Sequence, residues 1–305
     1  MLTSNKKLQE AAQKRKYAVG AFNVYDMESV QSVVRAAEAE KSPAIIATTE
    51  GAIEYAGHEF IAELIELATK KSNITYSMHL DHGKDIDIIK NCIRLGYTSV
   101  MIDASQHPFK ENIRITKQVV ALAHKKGVSV EAELGTIGGV EDSVSAKKIL
   151  LTDPRDAKEF VEKTGCDTLA VAIGTSHGAY KFASRSRLAI DRLKEIRKTV
   201  HVPLVLHGAS GIPSWVVRKA VLFGAVLGKA RGVSERDIQA AIAGGISKVN
   251  IDSDLRLTFD ASVREVLKKH PEEFDPRHIL GPARDAVTDM VRYKMRLFGS
   301  SGKAK

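Results

Sequence analysis

Three histidines in this 305-residue chain stand in company that suggests chemistry. In "YSMHLDHGKD" (residues 76–85) His82 follows Asp81 at the end of an apolar run, while "AIGTSHGAY" carries His177 and "VPLVLHGASG" carries His207. A single loop histidine is more often solvated or satisfied by a carbonyl, so the set matters more than any member. Three imidazoles brought together leave a coordination position for substrate, as a catalytic Zn²⁺ site does. Asp81 beside His82 reads as a base next to a metal ligand or as an ordinary loop acid, and His79, inside the run, as a packing or orienting group.

In "IGTSHG" and "LHGASG" the histidine is followed at once by glycine, Gly178 and Gly208, which lets backbone N–H groups approach an anion closely. With Ser210, Gly211 and the "NIDSD" that starts at Asn250 they would form a phosphate cradle. The acidic stretch "EAELGTIGGVEDS" offers Glu133 at the end of another apolar run, where a carboxylate could bind metal. Glu131 shares its face and would support it. Glu141, after Gly138 and Gly139, could swing over the site as a mobile acid/base, whereas Asp142 reads as a solvated acid.

What must position these groups is a repeated strand and helix. Short β-branched or apolar runs fall at 18–23, 44–49, 74–80, 98–103, 128–134, 167–173, 202–207 and 247–251, each followed by a segment of helical period. Helix starts punctuate them: Asp153 with Pro154, and Ser234 with Asp237. Strands this apolar must be covered on both sides, which predicts an α/β fold, a single (β/α)8 TIM barrel over 1–305. Polar residues at the strand ends then converge on one mouth: Asn23, Thr49, Asp81, His82, Asp103, Glu133, His207, Asn250 and Asp252, with His177 just beyond its strand. Two further helices, at 254–270 and 282–298, make a C-terminal extension of about 254–299. They are joined by "PEEFDPRHILG" and exceed what closure requires, so they offer a subunit contact.

Composition narrows the class. The formal charge of +9 comes from basic residues dispersed among acids, with aromatics at 6%, so no nucleic-acid partner is expected. The longest apolar stretch, "AVLFGAVLG", is too short to span a bilayer and the amino terminus lacks an apolar targeting core, so no membrane association is expected. Cys92 and Cys166 show no disulfide or thiolate-metal spacing. A cytoplasmic protein is the expectation.

"HLDHG", "EAELGTIGGVED", "AIGTSHGAYK", "LHGASGI" and "KVNIDSDLR", in that order, resemble the motifs of the class II, metal-dependent fructose-bisphosphate and tagatose-bisphosphate aldolases. The likeness runs from about residue 18 to the carboxyl terminus, and the lengthened 211–245 connection resembles the family's longer variant. It implies that His82, His177 and His207 bind catalytic Zn²⁺, that Asp103 and Glu133 form a second divalent position, and that a monovalent cation takes part. It further implies that Asp81 exchanges the hydroxyl proton and that Glu141 protonates the carbon left behind. Gly178, Gly208, Ser210, Asn250 and Ser253 resemble the residues that hold dihydroxyacetone phosphate, and Asn23, Thr49 and Arg277 those that meet the other half of the sugar. Thr48 is a rival to Thr49, and Arg277 would come from a neighbouring subunit of a homodimer or homotetramer.

The implied reaction is aldol cleavage of a ketose 1,6-bisphosphate, a sugar-phosphate substrate, with fructose and tagatose forms left open by the sequence. A zinc-dependent hydrolase on the same barrel, a Schiff-base aldolase using Lys248 and a non-catalytic sugar-phosphate binder are the rival readings. The "AFNVYD" end of the first strand lacks the paired histidines usual in such hydrolases.

Overall fold

A computed structural model describes the chain except for residues 136–137, 142–143, 147–149, 178–187, 228–231 and 305; for 138–141, 144–146 and 176–177 it describes the backbone alone. The chain enters through helix α1 (Asn5–Lys14), then runs through strand β1 (Val19–Asn23), α2 (Met27–Glu40), β2 (Ala44–Thr48), α3 (Glu50–Ala56), α4 (His58–Lys70), β3 (Tyr76–Gly83) and α5 (Ile86–Arg94). It continues with β4 (Ser99–Ile102), α6 (Phe109–His124), β5 (Ser129–Leu134), β6 (Gly138–Glu141), β7 (Val144–Ala146), α7 (Pro154–Thr164), β8 (Thr168–Val171) and β9 (Ser176–His177). The last third holds α8 (Ile190–Thr199), β10 (Leu204–Leu206), α9 (Ser214–Leu222), α10 (Glu235–Ala243), β11 (Ile246–Ile251), α11 (Ser253–Lys269) and α12 (Pro276–Leu297).

Eight of these strands, the eight expected, close a parallel barrel in the order β1-β2-β3-β4-β5-β8-β10-β11. The fold is the (β/α)8 barrel. Every residue of β1, β2, β4, β5, β8, β10 and β11 is buried, as strands covered by helices outside and side chains inside must be. The capping expectations hold: Asp153 accepts from the Arg155 and Asp156 amides, and Ser234 Oγ accepts from the Asp237 amide at 3.1 Å.

Three departures have local causes. Helix α1, not anticipated, lies against the opposite end of the barrel from the motif residues, where Leu8 and Ala12 pack with Tyr17, Val19, Ala21 and Ile45. A small second sheet, β7-β6-β9, pairs Gly139 with His177 in parallel, so the segment expected to be a loose glycine-rich loop carries a hairpin. Helix α12 begins at Pro276 rather than at 282, because the Asp275 side chain caps it by accepting from the Arg277 amide at 2.9 Å and Pro276 suits the first turn. Arg277 therefore stands in a helical first turn, not in a connection. Much of the C-terminal surplus is absorbed within the chain: Ala283, Val287, Met290, Val291 and Met295 of α12 are buried, and Ser32 of α2 donates to the Arg284 carbonyl.

Candidate metal and acid-base centre

Period-2 alternation places His79 and Asp81 of β3, Glu131 and Glu133 of β5, and Lys248 and Asn250 of β11 on matching faces of their strands, where their side chains meet inside the barrel. Strand β3 adds a second polar group by breaking its own pattern. Its pairing with β4 shifts between Leu80 and Gly83, and His82 adopts a left-handed φ of 50°. This irregularity lets the consecutive Asp81 and His82 reach the same cluster, which a regular strand forbids. Gly83 permits it: a Cβ there would sit 2.6 Å from the Met101 carbonyl.

At the mouth, donor atoms of Asp81, His82 and His207 lie within 4.8 Å of one another, as do those of His82, Asp103 and Glu133. The His82 and His207 rings stand 4.6 Å apart, centroid to centroid. Each is gripped by a carboxylate: His82 Nδ1 is 3.0 Å from Asp103 Oδ2, and His207 Nδ1 is 2.8 Å from Glu133 Oε2. Asp103 is itself fixed by the Ser105 hydroxyl and amide. Asp81 accepts from the amide groups of Asn23 at 3.2 Å and Asn250 at 2.8 Å, so three strand ends converge on one carboxylate.

Below this layer, Lys248 Nζ donates to Glu131 Oε1 at 2.7 Å and stands 3.3 Å from His79 Nε2. Glu131 Oε1 also lies 3.0 Å from His207 Nε2, and His79 Nδ1 is 3.0 Å from Ser99 Oγ. His79 and Glu131 thus orient neighbours, as their positions suggested, although Glu131 supports His207 rather than Glu133. Lys248 is engaged as an ammonium by a buried carboxylate, which leaves it poorly disposed as a Schiff-base nucleophile.

Charge explains the titration of the cluster. Asp81, Asp103, Glu131 and Glu133 are all at most 5% exposed and face one fixed cation, Lys248, among the described residues. Burial alone would neutralise the two mouth histidines, yet Asp81 and Asp103 push His82 up to about 10, and Glu131 and Glu133 raise His207. Against its burial Asp81 is drawn down to about 2 by His82, Lys248 and His207. His79 goes the other way, down to about 3, through burial and the adjacent Lys248. Such an excess of buried carboxylate, with imidazoles beside it, suits a divalent cation of nitrogen and oxygen preference. The donor set fits a metal.

The remaining expected site residues are distributed as follows. Thr49 caps α3, its Oγ1 accepting from the Ala52 amide at 3.1 Å, while its rival Thr48 bonds the Tyr97 hydroxyl. Gly208 takes a positive φ of 58°, and Ser210 is buried. Asp252 and Ser253 begin α11, whose amino terminus follows β11 at the same end of the barrel as Asn250. The side chains of His177 and Glu141 and the whole of Gly178 lie outside the described residues. Arg277 is 85% exposed and lies on Asp275, 2.7 Å away. One basic group escaped the sequence reading: Arg256, one turn into α11, donates to Asp252 at 2.8 Å and stands over the Tyr25 ring. Its i,i+4 spacing from Asp252 was the available signal.

The family model described as fructose-bisphosphate aldolase class-II matches residues 3–303. Fructose-bisphosphate aldolase of Giardia intestinalis is 51% identical over 296 residues, covering 96% of this chain and 91% of that protein. The enzyme of the same name from Thermus caldophilus is 48% identical, covering 100% of both. Among solved structures, the YdjI aldolase from Escherichia coli K12 superposes with a TM-score of 0.84 at 36% identity, over 100% of each chain.

Proposed function

The chain belongs to the class II fructose-bisphosphate aldolase family, and on that premise we propose how its own residues carry the reaction. It is a metal-dependent aldehyde lyase that reversibly cleaves fructose 1,6-bisphosphate to dihydroxyacetone phosphate and glyceraldehyde 3-phosphate, in glycolysis and gluconeogenesis. The observation that carries the residue roles is the convergence of Asp81, His82 and His207, with Asp103 and Glu133 behind the two rings.

His82, His177 and His207 would hold the ion, with Zn²⁺ favoured by three imidazoles. Bound there, it supplies the Lewis acid that lets the substrate carbonyl accept negative charge as C3–C4 breaks. Asp103 and Glu133 fix the ring orientations of His82 and His207 and offer oxygens for a second divalent position. Asp81, kept ionised and aimed by Asn23 and Asn250, takes the C4 hydroxyl proton during cleavage and returns it during condensation. Glu141, carried on the β6–β7 hairpin, delivers a proton to the electron pair left on C3.

Gly208, Ser210, Asn250, Asp252 and Ser253, with Gly178, form the cradle for the dihydroxyacetone phosphate half, where the first amides of α11 favour an anion. Asn23 and Thr49 meet the other half of the sugar. Arg277, projecting from the start of α12, reaches the C6 phosphate in a neighbouring subunit of a homodimer or homotetramer, binding it in the bidentate manner open to a guanidinium. The glycolytic role and two unpaired buried cysteines favour the cytoplasm; among the described residues no helix is long and apolar enough to cross a membrane.

Exhaustive chelation should abolish cleavage of fructose 1,6-bisphosphate and Zn²⁺ should restore it. Activity that persists in chelator, with borohydride trapping substrate on Lys248, would sink the metal-centred reading. The shared site has its own check: hybrids of Arg277→Ala and Asp81→Asn chains should regain part of the activity that each lacks alone, and hybrids of proven composition that stay inactive put Arg277 outside a shared site.

A further inference from the structure

Outside the barrel lies a second lysine as deeply buried as Lys248. Lys294 of α12 is 0% exposed, pairs with the equally buried Asp254 at 2.6 Å and donates to the Gly211 carbonyl at 3.2 Å. These two contacts lie on different segments, a turn and a helix start. Gly211 follows β10 in the "HGASG" turn, and Asp254 sits in the first turn of α11, one residue after Ser253. The two halves of the phosphate cradle are thus joined behind the site by one ammonium.

The Gly211 side of the bridge leaves little slack. The Val233 amide donates to the Ser210 carbonyl at 3.2 Å, and a Cβ on Gly211 would collide with the Val233 carbonyl, while one on Gly232 would collide with that of Ser210. Backbone packs directly on backbone there. Tyr293, the neighbour of Lys294 on α12, donates its hydroxyl to Glu235 at the start of α10, just beyond Val233. Helix α12 therefore holds both the 208–211 turn and the segment pressed against it.

We propose that Lys294 and Asp254 are positioning residues that set the spacing between the Ser210 turn and the α11 amino terminus, and so the fit of the substrate's C1 phosphate. The alternative is a purely structural ion pair, which similar-sized apolar residues replace without loss. The inference rests on the cradle reading given above. A distance error at a phosphate-binding wall weakens binding of that phosphate far more than it alters Asp81 and His82, which stand on β3, while His207, at the start of the Ser210 turn, is held independently by Glu131 and Glu133 of β5.

The test compares Lys294→Met, the double variant Lys294→Met/Asp254→Leu and Ser210→Ala as zinc-loaded full-length enzymes, reading Tm, kcat, KM for fructose 1,6-bisphosphate and inhibition by inorganic phosphate. Lys294→Met should lose Tm by stranding a buried carboxylate. The double variant should regain Tm yet keep a KM raised roughly tenfold and a matching loss of phosphate inhibition, with kcat within about twofold of the parent. A double variant that recovers both Tm and KM overturns the positioning role, provided Ser210→Ala has raised KM. An unchanged KM in Ser210→Ala removes the cradle, and this inference with it. If the double variant does not fold, Lys294→Gln/Asp254→Asn carries the same expectations, and wild-type KM in that folded variant overturns the proposal.

Discussion

Two buried carboxylate clusters in this molecule solve opposite problems. Glu40, at the end of α2, meets two guanidiniums and a hydroxyl: Oε1 accepts from Arg292 and Arg296, and Oε2 from Arg296 and Ser301. Its cations are permanent, so the cluster is electrically complete and fastens α12 and the carboxyl terminus to α2. At the barrel mouth, among the described residues, four carboxylates share one lysine, and the balance comes from imidazoles that can give up their protons. A charge deficit filled by exchangeable protons is a place that a metal ion can occupy; one filled by arginine is closed. The same side-chain types thus serve a latch at one end and chemistry at the other.

The largest expected effects lie at the mouth and separate its two kinds of acceptor. His207→Ala should lose bound metal together with turnover, and should also lower Tm, since it strands Glu133 in the barrel and takes one partner from Glu131. Asp81→Asn should retain metal while kcat falls about 10²–10⁴-fold, the range for a positioned acid/base. Metal analysis beside steady-state kinetics decides: stoichiometric zinc in His207→Ala, or its loss from Asp81→Asn, would reverse the two assignments.

The sequence made the mouth more legible than the latch for a physical reason. Strand periodicity and the rule that barrel chemistry gathers at carboxyl-terminal strand ends bring Asn23, Asp81, His82, Asp103, Glu133, His207 and Asn250 together without any tertiary information. That β3 runs on through Asp81 and His82 was not legible, because its bulge depends on Gly83 packing against the Met101 carbonyl of the neighbouring strand. Helix α1 hid for a different reason: only Leu8 and Ala12 of a highly charged segment join an apolar cluster, too few for a periodic signal. Glu40, Arg292 and Arg296 read singly as surface charges. Their partnership joins residues more than 250 positions apart, and nothing local announces it. The Asp275 and Pro276 signal for α12 was present but lay hidden in what looked like a linker.

The smallest expected effect sharpens the contrast through its pH dependence. Hydrogen bonding from Arg296, opposed by partial burial and aided by Ser301 and Arg292, draws the Glu40 carboxyl from 4.5 down to about 2. Because its folded value lies below its unfolded one, the unfolded chain binds more protons between the two. The latch therefore stabilises fully above 4.5 and is lost as pH falls toward 2. Solvent reaches Arg296, which is 59% exposed, so screening reduces the contribution to about 1–2 kcal/mol at neutral pH. Glu40→Gln should accordingly cost about that much in urea unfolding at neutral pH, leave kcat unchanged, and differ less and less from the parent as the medium is acidified below 4.5. Other carboxylates titrate in both proteins and cancel in the difference. A stability gap that stays constant across this window would mean that Glu40 acts through packing rather than charge, and a gap that widens on acidification would give the linkage the wrong sign.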